Sequence, residues 1–373
     1  MNQVAESLER CDIGSRRAAL VAEFVRLEID ALLITDLNNV GYLTGFTGSA
    51  ALLLVTAESM TLATDGRYGI QAAAQSAAAE VEVSLVIGAM ADQMSGLVSA
   101  AEAARCTSIG LEADSVTWAG QREWVETFGK FSVVPTTGAV GALRSIKDAG
   151  EVARIEAAAG IADGALSTVI HLLGLGVTER EFARALDYEM LQSGADGLSF
   201  ETICASGPNS ALPHARPGNR TIGEGELVIL DFGAIVDGYH SDMTRTFHLG
   251  EPDDETGELL DVVVKAQAAG VAAVSAGVGC DRVDAACRDY IIEAGLGELF
   301  IHGTGHGVGR VIHEAPWVNS RNPAPLVSGQ VVTVEPGVYR PGLGGVRIED
   351  TVLVTDRGAR RLTTYPKDPV LAT

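Results

Sequence analysis

Asp231 closes the apolar run Leu227-Val-Ile-Leu230, and Asp242 follows beyond an Asp237-Gly238 pair. An Asp-Gly pair between apolar runs is a strong hairpin signal. A two-residue turn there pairs Val236 with Tyr239, sets Gly233 opposite Asp242, and sets Asp231 opposite Thr244. Asp231 and Asp242 then share a face as diagonal neighbours, roughly 7–8 Å apart at the backbone, with Gly233 expected to leave open space between them. The pattern recurs near the C-terminus. "VVTVEPGVY" puts Glu335 at the end of an apolar strand, and "GGVRIEDTVLV" returns with Arg347 and Glu349 two residues apart, a spacing that places both on one face of a strand.

Carboxylates at the inner ends of apolar hairpins are costly to bury unpaired, whereas divalent cations would neutralise them and remove their mutual repulsion. A histidine belongs with such a set, and "FIHGTGHGVGRVIHEAP" offers His302, His306 and His313. Its glycines fit neither GxGxxG nor GxxxxGK[ST], and no HExxH occurs, so a nucleotide cradle and a zincin site are both set aside. Carboxylates with one imidazole form a hard, oxygen-rich donor set that suits manganese and tolerates cobalt or zinc. Two such ions can acidify a bridging water and polarise a carbonyl, so hydrolysis is the natural chemistry.

The elements that must hold these groups follow from composition and periodicity. The chain has 373 residues, 47% hydrophobic and 20% charged, as expected for a globular protein of two domains. A formal charge of −22 repels phosphate backbones and anionic membranes, which argues against nucleic-acid or membrane partners. Cys11, Cys106, Cys204, Cys280 and Cys287 show no paired spacing, so free thiols in a reducing, cytoplasmic setting are expected. The N-terminus lacks an apolar core segment, and no run is expected to approach the roughly 18 to 20 apolar residues that span a bilayer.

Residues 15–29 read as a helix, and the strands and helices alternating from residue 31 to 135 predict an α/β first domain, residues 1–140. Thr136–Lys147 reads as a linker, after which Asp148 and Glu151 open a long Ala-rich helix. The second domain, residues 146–373, groups its helices and forms hairpins, so an α+β fold with an antiparallel sheet is expected. Its order of two helices then strands, given twice, hints at an internal duplication.

Between residues 199 and 354 the motifs "SFETICASGPNSALPHARP", "ILDFGAIVDGYHSDMTRTF", "HGTGHGVGRVIHEAP", "VVTVEPGVY" and "GGVRIEDTVLV" occur in an order that resembles the creatinase/methionine aminopeptidase ("pita-bread") family, specifically its X-Pro peptidases, prolidase and aminopeptidase P. "NNVGYLTGFTGSAALLL" and "ATDGRY" extend the resemblance into the first half, as a creatinase-like N-terminal domain. The resemblance implies a pseudo-twofold catalytic domain and hydrolysis of the bond between an N-terminal residue and proline in peptide substrates. It implies two divalent ions, most simply Mn2+, held by Asp231, Asp242, His306, Glu335 and Glu349, with Asp242 and Glu349 bridging. Glu335 would take the proton of the attacking nucleophile, His313 would stabilise the tetrahedral intermediate, His214 would contact the substrate beyond the scissile bond, His302 would line the proline side, and Arg347 would orient the carboxylates. A homodimer is implied as well, with the N-terminal domain limiting substrate length.

Two positions depart from the pattern: Trp317 stands where many prolidases carry an arginine for the dipeptide carboxylate, and Arg310 replaces an apolar residue. The alternatives are a creatinase-like hydrolase, which works without metal, methionine aminopeptidase, which usually lacks so large an N-terminal domain, and a non-catalytic peptide-binding module of the same fold. Retention of all five expected ligands argues against the first and third.

Overall fold

Alternating burial explains the strands of the first unit, Cys11–Arg144. Leu32 and Ile34 enter one core while Ala31 and Leu33 enter another, the period-2 alternation of a strand covered on both faces. In chain order this unit contains α1 (Ile13–Ala22), α2 (Phe24–Leu27), β1 (Ala31–Ile34), α3 (Leu37–Thr44), β2 (Leu52–Thr56), β3 (Met60–Thr64), α4 (Gly69–Ala78), β4 (Ser84–Ile87), α5 (Met90–Ala103), β5 (Ser108–Glu112), α6 (Trp118–Thr127), β6 (Ser132–Thr136) and α7 (Ala139–Ser145). Its sheet has the order β4-β3-β2-β1-β5-β6, antiparallel across β1, β2 and β3 and parallel elsewhere. The computed structural model describes residues 7–174 and 176–371. The extreme ends of both expected domains therefore lie outside the described residues.

Three local expectations are corrected. The helix expected over 15–29 is two, parted at Glu23, and a left-handed Glu28 (φ 56°) ends the second. The expected linker 136–147 holds α7, because Ala139 and Val140 are buried in the core and Arg144 donates to Asn39 Oδ1 at 2.8 Å. Helices α3, LNNVGYLT, and the Ala-rich α4, GIQAAAQSAA, are additions to the expected elements.

Of the described residues, the second unit comprises those from Ser145 onward together with 7–10. Asp148 caps α8 (Ala149–Val169), accepting from Glu151 N at 2.8 Å while Glu151 Oε2 accepts from Asp148 N at 3.1 Å. With its 3-10 extension this helix is, among the described residues, the one segment long and apolar enough by length and composition to span a bilayer, contrary to expectation. Its apolarity serves the core: Ala158, Ala162, Leu166 and Val169 are buried with strand residues Leu230 and Phe232.

There follow α9 (Glu179–Gln192), β7 (Gly197–Leu198), β8 (Ile203–Ser206), β9 (Leu227–Phe232), β10 (Ala234–Val236), β11 (Tyr239–His240), β12 (Met243–Leu249), α10 (Asp254–Ala273) and α11 (Cys280–Glu293). The remainder is β13 (Gly305–Gly307), β14 (Glu314–Val318), β15 (Val331–Val334), β16 (Gly337–Arg340), β17 (Gly344–Arg347), β18 (Asp350–Thr355), β19 (Gly358–Arg361) and β20 (Val370–Leu371). Two helices precede a long bent hairpin, β9-β10 against β11-β12, and two more precede a second, β15-β16 against β17-β18. The order thus repeats, as expected of the pseudo-twofold α+β fold. Helices α8 and α9 cover the first hairpin and α10 and α11 the second, each with its own apolar core.

Candidate metal centre and substrate cavity

The Asp237-Gly238 turn has both central residues left-handed, φ 49° and 77°, the backbone of a type I′ hairpin. Its register sets Val236 opposite Tyr239 and Asp231 opposite Thr244. Gly233 opens no space. A Cβ there would lie 2.0 Å from the Ser241 carbonyl oxygen, so glycine is needed for close backbone crossing. In the second hairpin Val334 faces Asp350 and Gly337 faces Arg347, which brings Glu335 and Glu349, just beyond the paired segments, opposite one another.

Ligand atoms of Asp231, Asp242 and Glu349 lie within 4.8 Å of one another. His306 Nε2 is 3.3 Å from Glu335 Oε1 and 3.6 Å from Asp242 Oδ2. The two hairpins and β13 therefore bring together all five residues expected to hold metal.

The electrostatics of this cluster call for a cation. Burial, then the charges of Glu349, Asp231 and Glu335, pushes Asp242 well above the usual carboxylate range. Burial, then Glu335 and Asp231, does the same to Glu349. Burial also raises Asp231, against the opposing charge of Arg347. Glu335 is held low: burial would raise it, but its hydrogen bond and ion pair with His306 outweigh that. Asp231 Oδ1 and Glu349 Oε1 are buried and accept no hydrogen bond. His306 Nδ1 faces the Gly307 carbonyl at 3.1 Å, which can only accept, so Nδ1 donates, and Nε2 faces two carboxylates, to which it either carries a proton or, once deprotonated, leaves its lone pair for a cation. Acceptor facing acceptor is repulsive unless a proton or metal ion lies between. The donor set fits divalent cations on each count.

Further side chains hold these candidate ligands. Arg347 donates to Asp231 Oδ2 at 2.6 Å, to Thr244 Oγ1 at 3.1 Å, to Tyr339 at 2.9 Å and to the Pro213 carbonyl at 3.2 Å. His302 Nδ1 meets the Gly303 carbonyl at 2.7 Å and so carries the proton, leaving Nε2 to accept from Tyr339 at 2.9 Å. Burial, the largest influence on His302, keeps that imidazole below its ordinary range. Thr333 Oγ1 donates to Glu335 Oε1 at 3.1 Å and accepts from His306 N at 3.0 Å. Thr244 and Thr333 were missed by sequence reasoning. Strand parity could have found both, since each stands two residues from a ligand carboxylate on the same strand path.

Beside the cluster lies a cavity of about 860 Å³ whose lining includes His214, His302, His313 and Trp317. The His313 ring sits edge-on to His306 with centroids 4.4 Å apart. Trp317, half exposed, stands 6.3 Å from His306. Arg310 is not part of the lining. Its guanidinium lies 5.3 Å from the centre of the Tyr239 ring, beside the Asp237-Gly238 turn.

A pita-bread scaffold with a buried carboxylate-histidine cluster beside a peptide-sized cavity defines the class as a metallohydrolase. The chain belongs to metallopeptidase family M24, which matches residues 153–356, and residues 16–146 match the creatinase/prolidase N-terminal domain. It is 40% identical to an uncharacterised peptidase, YqhT, of Bacillus subtilis, over 93% of this chain and 97% of that protein. Its fold matches a solved Xaa-Pro dipeptidase from Bacillus anthracis with a TM-score of 0.92 and 38% identity, covering 96% of this chain and all of the other (100%). An X-Pro aminopeptidase from Thermotoga maritima matches with a TM-score of 0.86 and 34% identity, over 94% of this chain and 100% of that one.

Proposed function

We propose that this metallopeptidase hydrolyses the bond between an N-terminal residue and a following proline, using two divalent ions, most simply Mn2+, held by Asp231, Asp242, His306, Glu335 and Glu349. The carrying observation is the convergence of buried carboxylates, two of them with unpartnered oxygens, around Nε2 of His306. Asp242 and Glu349 would be the carboxylates shared by both ions, which when bound would supply an activated water and a polarised scissile carbonyl. Glu335 receives the proton of the attacking water. His313 donates to the carbonyl oxygen as charge develops there. His214 contacts the substrate beyond the scissile bond, and His302, fixed by Tyr339, borders the proline ring. Arg347 orients Asp231.

An X-Pro bond is a tertiary amide without N–H, so a site that grips the free ammonium and a compact ring can use a shape that general peptidases cannot. The catalytic domain is taken as residues 146–373, and the domain over 1–140 limits substrate length within a homodimer. Five free cysteines support a reducing, cytoplasmic setting.

The test is hydrolysis of Ala-Pro, Ala-Pro-Ala and Ala-Ala by manganese-loaded protein. Cleavage of the proline peptides, lost on chelation, is expected. Equal or faster cleavage of Ala-Ala would refute the proline specificity, and turnover unaffected by chelation would refute the metal role.

A further inference from the structure

The peptide-sized cavity includes Arg216, Arg321 and Arg347 in its lining. Arg347 is fully engaged by Asp231, Thr244, Tyr339 and Pro213. Arg310 lies outside, and Trp317 carries no charge. Arg321 stands in an exposed turn tied only locally, its backbone N–H donating to Asn319 Oδ1 at 3.0 Å.

Arg216 is different in two respects. First, its loop is anchored at both ends by one buried carboxylate, Glu179. Glu179 accepts from Ser206 N at 2.8 Å, Ser206 Oγ at 2.8 Å and Asn209 Nδ2 at 3.0 Å on one side, and from Gly218 N at 3.0 Å on the other. Second, Arg216 is held at the cavity by Glu201, also in the lining, 3.1 Å away. The two side chains are 82% and 64% exposed, and an ion pair so exposed is weak. A carboxylate arriving from the cavity can therefore displace Glu201 at little cost.

We propose that Arg216 receives the C-terminal carboxylate of a dipeptide substrate, exchanging Glu201 for it. This rests on the X-Pro peptidase reading above. A dipeptide places its carboxylate directly after the proline ring, and desolvating it without a cation is costly. A longer peptide presents a neutral amide at that point and leaves the Arg216–Glu201 pair intact. One exposed pair thus admits both lengths while favouring the shorter.

The experiment compares Ala-Pro with Ala-Pro-amide on the metal-loaded full chain. For Arg216→Ala the KM of Ala-Pro is expected to rise a few-fold, to about 5-fold, the range for an exposed ion pair, with kcat little changed. The preference for Ala-Pro over its amide should fall in proportion. Arg216→Lys should lie between, because the charge is kept and the planar fork is lost. Glu201→Gln should lower the KM of Ala-Pro by releasing the guanidinium. An unchanged KM in Arg216→Ala, an equal loss on both substrates, or the same selective loss in Arg321→Ala instead would overturn the assignment. If the parent protein cleaves no X-Pro substrate, the X-Pro reading fails and this assignment falls with it.

Discussion

Thr244 Oγ1 donates to Glu349 Oε2 at 2.7 Å, and Glu349 N donates back to the Thr244 carbonyl at 3.1 Å, joining residues 105 apart in the chain. The first hairpin thus orients a candidate ligand on the second, and Arg347 Nε donates to the same hydroxyl.

Thr244→Val keeps the β-branched shape and removes that hydroxyl. Loss of such an outer partner typically lowers metal affinity roughly 10- to 100-fold. Calorimetric titration with Mn2+ should show this while circular dichroism stays unchanged. Unaltered affinity would mean that Glu349 needs no support from Thr244.

Chelation should abolish hydrolysis and manganese should restore it. If Asp242 bridges as proposed, Asp242→Asn should lower metal content more than Asp231→Asn, because a shared carboxylate serves both ions. Metal analysis finding two tightly held ions and normal turnover in Asp242→Asn would rule out the bridge.

His313 is largely exposed and contributes little to the core. His313→Ala should keep its fold and metal content yet lose roughly 10²-fold or more in kcat, as for a removed oxyanion donor. A loss confined to KM would make His313 a substrate-positioning group instead.

Asp350, fully buried, accepts from Arg245 at 2.9 Å and from Thr363 at 3.2 Å, and lies 2.5 Å from Lys367. Asp350→Ala leaves the buried Arg245 without its counter-ion, a change that typically costs about 3–5 kcal/mol. Denaturant unfolding should show a lowered midpoint for the transition of the catalytic unit. A midpoint equal to the parent's would show that the carbonyls of Glu349, Tyr365 and Pro366, to which Arg245 also donates, satisfy it without a counter-ion.

Asp30 Oδ2 accepts from Thr107 Oγ1 and N, each at 2.7 Å, and from Ser108 N at 3.0 Å. These bonds, the Thr107 hydroxyl first, hold its carboxyl below the usual range. A lowered folded-state value means stability that is present above the unfolded value, about 3.9 for aspartate, and lost as pH falls through the folded one. The Tm difference between the parent and Asp30→Asn should be largest at about pH 6, where the carboxylate is fully ionised, and should close in stronger acid. A pH-independent difference would mean that the charge contributes nothing.

The amino-acid sequence by itself determined what is local. An Asp-Gly pair between apolar runs encodes a turn, the period of two then dictates which carboxylates share a face, and Asp148 with Glu151 signals a helix start through bonds three residues apart. The four carboxylates of the site were legible for that reason. Only tertiary structure decided how the hairpins dock, and with it the Thr244–Glu349 bond, the turning of Arg310 onto Tyr239 and away from the cavity, and the grip of Glu179 on both ends of the His214 loop. It also made α7 from an apparent linker, because the burial of Ala139 and Val140 depends on a core assembled from residues up to 120 positions earlier, counting from Val140 to Leu20. Periodicity reports which face a side chain takes. It carries no record of what that face will meet, because the meeting depends on residues far away along the chain.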